Sequence, residues 1–328
     1  MKPFTYTRAK AVPEAIAAIA EPHSKFLGGG TNLIDLMKMG VEQPDRLVDI
    51  TRVPMASVEE HEGGIRIGAM ARNSDVAEHP LIRQRYPVLS QALLAGASPQ
   101  LRNMATMGGN LMQRTRCYYF YDPSYQECNK RRPGSGCAAL HSYNRIHAIL
   151  GASPHCIAVH PSDLCVALAA LDATVQVSGP RGERGIPMAD FHRPPGTTPQ
   201  LDTNLHSDEL ITAIDLPATP FARRSHYLKV RDRNSYAFAL VSVAAVLDVD
   251  SSGLIRSARI ALGGVAHKPW RRTSAEKLLA GQKAQDAAFR AAADELVRGA
   301  QPYRDNRFKV ELARRAVVRA LQTTAALT

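Results

Sequence analysis

Nowhere does the sequence hold an apolar run of the eighteen or so residues that cross a bilayer, so nothing in its 328 residues reads as a membrane span. The opening stretch, MKPFTYTRAKAVPEAIAAIAE, lacks an apolar segment followed by a small-residue cleavage site, and no twin-arginine signal is visible, so no signal peptide is expected. No internal repeat appears, no Gly-x-Gly-x-x-Gly run marks a Rossmann site, and no Cys-x2–4-Cys pair marks a zinc knuckle. The formal net charge of +11 raises the question of nucleic acid, but no motif of that kind orders the scattered basic residues. They read instead as a solvated surface or a docking face for an acidic partner.

What the sequence does have is clustered cysteine. There are five, and four of them, Cys117, Cys128, Cys137 and Cys156, fall within forty residues, with Cys165 shortly after. An odd number in a long chain does not suit a disulfide scaffold, and the clustering favours a metal site.

Around this cluster the chain changes character. Pro13 to Ala20 predicts a helix, Lys25 to Leu27 a strand, and TNLIDLMKM a helix ended by Gly40. Arg46 to Ile50 and Gly64 to Met70 predict strands, and Asn73 to Ala95 predicts helix broken at Pro80 and Pro87. This alternation argues for an α/β unit. Residues 111–162 then lose periodicity and fill with Tyr, Arg, Pro, Gly and Cys, as a functional or ligand-held segment does. Helix (LCVALAALDA) and strand (TVQVSG) follow, and PATPFARRS near residue 220 reads as a domain boundary. FALVSVAAVLDVD and LIRSARIALGGVA flank Ser-Ser-Gly as a hairpin, Thr273 and Glu276 suggest a capping box, and helices are expected over 284–299 and 304–321.

Two glycine loops stand out. FLGGGTNL, Phe26 to Leu33, follows a strand and opens a helix, so its backbone N–H groups can converge on a phosphate. By itself it could equally be an ordinary strand-to-helix turn. The second loop, TMGGN (Thr106 to Asn110), adds a hydroxyl and an amide beside two glycines, and a pair of such loops can grip a dinucleotide from both sides.

FLGGGTNLIDLMK, QLRNMATMGGNL, HPSDL, YLKVRDRNSYAFALVSVAA and ALGGVAHKPWR, in that order along almost the whole chain, resemble the FAD-binding medium subunit of the xanthine dehydrogenase, or molybdenum hydroxylase, family. The resemblance implies an α+β fold: a two-part FAD-binding domain of the vanillyl-alcohol-oxidase type over 1–222, then a small α+β domain over 223–328 like the C-terminal domain of CO dehydrogenase flavoproteins. It also implies roles. Phe26, Leu27, Gly28, Gly29, Gly30, Thr31, Asn32 and Leu33 would wrap the FAD pyrophosphate. Thr106, Gly109 and Asn110 would form a second clamp, and Asp163 and Lys229 would stand near the flavin. Read locally, Asp163 could also be a helix N-cap and Lys229 a surface lysine. No histidine matches a covalent flavin link, so bound rather than bonded FAD is expected.

Many relatives pass almost directly from the Gly-Gly-Asn loop to the Pro-x-x-Asp element. Here the cysteine segment, about 111–162, is inserted between them. A minority of the family carries a [4Fe–4S] cluster in such an insertion, and the resemblance is nearest to the flavin subunit of bacterial periplasmic aldehyde oxidoreductase. That implies Cys117, Cys128, Cys137 and Cys156 as ligands, spaced Cys-x10-Cys-x8-Cys-x18-Cys, with Cys165 packing on its helix. Without the family this spacing would leave a four-cysteine zinc site open. Arg114, Arg116, Lys130, Arg131 and Arg132 would offset the charge of the cluster, and Tyr118 to Tyr121 would shield it.

The implied function is electron transfer in a heterotrimeric molybdenum-dependent aldehyde oxidoreductase. The molybdenum cofactor and [2Fe–2S] clusters would sit on large and small partner subunits, because their patterns are missing here, and an external acceptor would take the electrons. Three rivals stay open: the flavin subunit of an aryl-CoA reductase, a stand-alone flavin oxidase, and a zinc-stabilised nucleic-acid-binding protein. The chain is expected in the periplasm if exported folded with a partner bearing a twin-arginine signal, and otherwise in the cytoplasm.

Overall fold

In the computed structural model, which describes residues 1–327, strands β1 (Thr5–Arg8), β2 (Ser24–Leu27) and β3 (Arg46–Asp49) pair in parallel in the order β1-β3-β2. Parallel neighbours need crossovers, and the helices Val12–Ile19 and Leu33–Lys38 provide them. The first buries Ala15 and Ile19 against this small sheet. Gly40, with φ of +74°, lets the chain turn out of the second.

A second sheet is antiparallel, in the order β4-β5-β8-β6-β7, from β4 (Val58–His61), β5 (Gly64–Gly68), β6 (Thr174–Gly179), β7 (Gly182–Pro187) and β8 (Leu210–Leu216). Its inner strands carry Ile65, Ile67, Val175, Val177 and Ile214, all buried, whereas the edge strands β4 and β7 are mostly exposed and charged, which discourages further pairing. Three helices, Asn73–Glu78, Pro80–Arg85 and Pro87–Ala95, pack nearby. They break at the expected prolines because the preceding residues, His79 (ψ 130°) and Tyr86 (ψ 57°), are forced out of helical geometry. Helix Asp163–Ala170 is buried along its whole length in the same core.

The third sheet runs β12-β11-β10-β9, built from β9 (Ser225–Val230), β10 (Val241–Val249), β11 (Ile255–Gly263) and β12 (Trp270–Arg271), with β10 and β11 forming the expected hairpin. Strand β10 serves two cores by its period of two. Val241, Val243, Ala245 and Leu247 face helices Asp286–Val297 and Phe308–Ala325, while Ala244 and Val246 face the core of the second sheet. The capping box does not form. Thr273 is itself the first helical residue, and Glu276 is drawn to Arg271 (2.6 Å) and to the β11 amide of Ile260 (3.0 Å).

Residues 111–162 hold only a four-residue helix, Tyr118–Tyr121, and one 3-10 turn, Ala138–Leu140. Apolar anchoring replaces regular structure. Ile149 and Leu150 enter the C-terminal core, and both amides donate to Val265 O.

Candidate functional site

The two glycine loops abut. A Cβ on Gly28 would sit 3.1 Å from Thr106 Oγ1, and one on Gly29 only 1.8 Å from the carbonyl oxygen of Met104. Thr106 caps the helix Met107–Leu111 by accepting from Gly109 N at 3.1 Å. Together the loops wall a cavity of about 380 Å³ that is also bordered by Met70, Arg114, His192 and Asp202. Among the described residues, no protein acceptor takes the backbone amides of Gly28, Gly29, Gly30 or Thr31. Four unused N–H groups at the wall of a cavity, one of them on Gly29 where a Cβ would collide with backbone, suit the oxygens of a pyrophosphate, so the residues fit FAD here.

Ten of the predicted FAD residues line this cavity: Phe26 to Leu33, Thr106 and Gly109. Asn32 also ties the first loop to the cysteine segment, accepting from Arg114 N at 2.9 Å and donating to Tyr121 OH at 3.2 Å. Asn110, Asp163 and Lys229 are not in its lining. Asn110 Oδ1 accepts from Ser162 at 2.7 Å. Ser162, not Asp163, caps the following helix. Asp163 instead forms a buried pair with Lys229 (2.7 Å) and accepts from Tyr227 OH (2.7 Å), while Lys229 also donates to Ala95 O. Burial, and then the Asp163 carboxylate, push the Tyr227 hydroxyl well above its ordinary value, so it stays a donor. Tyr227 was not singled out in the sequence, where only its position two residues before Lys229 on a strand hinted at a shared face.

Cys117, Cys128 and Cys156 are buried in one cluster with Tyr119, Phe120, Ile157 and Ala158, Cys137 packs against it partly buried, and none is in a disulfide. Tyr119 and Phe120 shield them, whereas Tyr118 is exposed. Four converging cysteines are the donor set of a tetrahedral zinc ion and of an iron–sulfur cluster alike. A hydrogen bond from Cys156 holds the Cys137 thiol down at about 6, and burial pushes Cys117 up to about 12.

The basic residues of this segment are mostly committed to partners. Arg114 binds Glu42 (2.6 Å) and Asp202 (2.8 Å), and Lys130, its side chain 2% exposed, shares Asp202. Arg131 donates to the carbonyls of Tyr119 and Tyr125. Burial works against the Asp202 charge, but Lys130 and Arg114 overcome it and hold the carboxyl well below its ordinary range. This network joins the two sites, because Glu42, Arg114 and Asp202 border the glycine cavity and Lys130 borders the cysteines. No local pattern marked Glu42 or Asp202.

Cys165 lies outside the cluster, with His160 Nε2 3.3 Å from its sulfur. His192 completes a trio, but the rings of His160 and His192 are in contact, with centroids 4.0 Å apart. Two imidazoles sharing one tetrahedral ion at ~2.0–2.1 Å would hold their centroids about 5 Å apart. A thiol hydrogen bond beside two rings in tilted contact accounts for the trio.

Residues 2–219 match the FAD binding domain in molybdopterin dehydrogenase, and residues 226–324 match the CO dehydrogenase flavoprotein C-terminal domain. The aldehyde oxidoreductase FAD-binding subunit of Escherichia coli (strain K12) is 52% identical over 324 residues, covering 98% of both chains. The glyceraldehyde dehydrogenase medium chain of Sulfolobus acidocaldarius is 29% identical, over 97% of this chain and 95% of its own. Among solved structures, the carbon monoxide dehydrogenase of Hydrogenophaga pseudoflava superposes with a TM-score of 0.76 at 27% identity, covering 98% of this chain and 97% of that one. No helix among the described residues is long and apolar enough to cross a membrane. The paired glycine loops, the three sheets in this order and the full-length matches lead to one conclusion: the chain belongs to the FAD-binding medium subunits of the xanthine dehydrogenase and CO dehydrogenase family.

Proposed function

We propose that this chain is the FAD- and [4Fe–4S]-binding electron-transfer subunit of a molybdenum-dependent aldehyde oxidoreductase. The observation that carries the reading is a glycine-lined anion cavity and a four-cysteine pocket, joined by the half-buried Arg114–Asp202 pair and the buried Lys130. The substrate class rests on the likeness to the Escherichia coli aldehyde oxidoreductase subunit over nearly the whole of both chains. Partner subunits supply the molybdenum cofactor and the [2Fe–2S] clusters, and an external acceptor takes the electrons. The compartment follows the partners: periplasmic if one carries a twin-arginine signal, cytoplasmic otherwise.

In this reading Phe26 to Leu33 hold the pyrophosphate through the free amides of residues 28–31, and Thr106 and Gly109 close the cavity opposite. Asn110, Asp163 and Lys229 act on the flavin side. The buried Asp163–Lys229 pair keeps an ammonium beside a carboxylate, a fixed dipole that orients rather than transfers a proton. Cys117, Cys128, Cys137 and Cys156 hold the cluster, and Tyr119 and Phe120 keep water from it. When bound, the flavin converts between paired and single electrons and the cluster stores single ones.

The test is cofactor content. The purified chain should hold about one FAD and about four irons with matching acid-labile sulfide. Stoichiometric zinc without sulfide would overturn the cluster. Anaerobic visible spectra of the assembled complex should bleach with an aldehyde; no bleaching with an aldehyde, together with recolouring of the dithionite-reduced complex by an aryl-CoA, would overturn the substrate class.

A further inference from the structure

Lys309 is 0% exposed, yet among the described residues it has no carboxylate partner. Its ammonium donates to three backbone carbonyls: Ile146 (3.4 Å), His147 (2.9 Å) and Gly264. Carbonyls satisfy its donors but leave its charge unbalanced, and an unbalanced buried charge is costly. Every other buried lysine of the site has an anion: Lys130 has Asp202 and Lys229 has Asp163. With only carbonyls around it, burial, and then repulsion by Arg145, lower Lys309 to about 7.

The loop that Lys309 grips is the loop that touches the cysteines. His147 is buried, and its Nε2 lies 3.1 Å from Cys117 Sγ. A thiolate has no proton to give, so toward a ligating Cys117 this nitrogen must carry the hydrogen. Nδ1 is then the bare nitrogen of the ring, in keeping with its having no partner. Asn306, also fully buried, donates to His147 O and Ala148 O at 3.2 Å each, and Asp305 pairs with Asn144. The start of the last helix therefore clamps residues 144–148 against the cysteine pocket.

We propose that Lys309 is the buried counter-charge of the iron–sulfur site, acting across His147, whose N–H···S bond to Cys117 joins it in raising the reduction potential of the cluster. The proposal rests on the cluster reading above. A cluster held by four thiolates is a net anion, which is what an unpaired buried ammonium lacks. Hydrogen bonds to the sulfurs and nearby cations favour the reduced state.

The full-length chain tests this without reference to activity. Iron, sulfide and thermal midpoint are measured for wild type and Lys309→Met, with the cluster loaded and after anaerobic removal of iron by a chelator. A counter-charge predicts opposite signs: the substitution lowers the midpoint of the loaded chain and raises that of the stripped chain. An EPR-monitored redox titration of the loaded variant should show the equilibrium shifted at least tenfold toward the oxidised cluster, about 59 mV lower for a one-electron couple. His147→Leu, which removes the N–H···S bond and leaves Lys309 in place, should shift the potential in the same direction. Wild-type chain without iron or sulfide would defeat the cluster reading itself. Loaded Lys309→Met with an unchanged potential, or with both midpoints lowered alike, would defeat this proposal alone and leave Lys309 a structural clamp. If Lys309→Met takes up no cluster, the potential of His147→Leu decides, and no shift there overturns the proposal.

Discussion

Replacing Gly29 by alanine puts the loop geometry under direct load. The new Cβ would meet Met104 O at 1.8 Å and Met104 C at 2.7 Å. An ordinary contact between such atoms is about 3.5 Å, so one loop must move by well over ~1 Å. Both obstructing atoms are backbone, so no rotamer change relieves the clash, and the cost belongs at the upper end of overpacking penalties, about 3 kcal/mol. An unfolding entropy of about 2.1 cal/mol/K per residue over the 328 residues turns this into a fall of roughly 4 °C in the midpoint. Gly109→Ala offers a graded comparison, because its Cβ would meet only Thr106 Oγ1 at 2.9 Å. That hydroxyl can rotate away, but it then abandons Gly109 N, a cap worth about 1 kcal/mol. Gly30→Ala, at φ of +72°, should cost a similar ~1–2 kcal/mol from left-handed strain. The assay is flavin-to-protein ratio by absorbance, with thermal unfolding of each variant. Gly29→Ala should lose most of its FAD while the other two keep a substantial share. Wild-type flavin content and midpoint in Gly29→Ala would refute the claim that loop-to-loop contact sets this position.

Two further outcomes follow from the polar interior. Cys165→Ala should leave iron and flavin at wild-type levels, since it removes only a small buried thiol and its contact with His160, at about 1 kcal/mol, whereas Cys156→Ala should lose iron and make residues 111–162 sensitive to limited proteolysis. Asp202→Asn should cost about 3 kcal/mol, because it leaves the buried Lys130 ammonium without a counter-charge. The folded pKa of Asp202 is depressed, so its stabilisation is present above the unfolded value of 3.8 and is lost as pH falls below it. The acid-unfolding curve of the wild type should therefore be steeper below that pH than that of Asp202→Asn, and parallel curves would count against the network.

Local backbone rules made much of the fold legible. Pro80 and Pro87 divided one helical stretch into three, Gly40 ended a helix, and the Ser-Ser-Gly turn placed the β10–β11 hairpin, because each acts on its own φ and ψ or on residues nearby. Edge strands β4 and β7 and the central strand β8 went unread. The first two carry too few apolar residues to show a period, and the run of β8 stands apart from its sheet partners in sequence.

The site divides in the same way. Sequence by itself determined the phosphate-type glycine loops and the four cysteines, since the absence of a side chain and the presence of thiols are chemical facts wherever the chain goes. It also placed Asp163 and Lys229 near each other in function, but not as an ion pair outside the lining of the glycine cavity. Only the tertiary structure decided that Glu276 would serve β11 instead of a cap, that Arg114 and Lys130 would share Asp202, and that Lys309 would reach the carbonyl of His147 from 162 residues away. The reason is that burial and charge balance belong to a place in space. A lysine or an aspartate has the same sequence signature whether it ends in water or beneath a buried loop, and only the closure of long chain segments determines which.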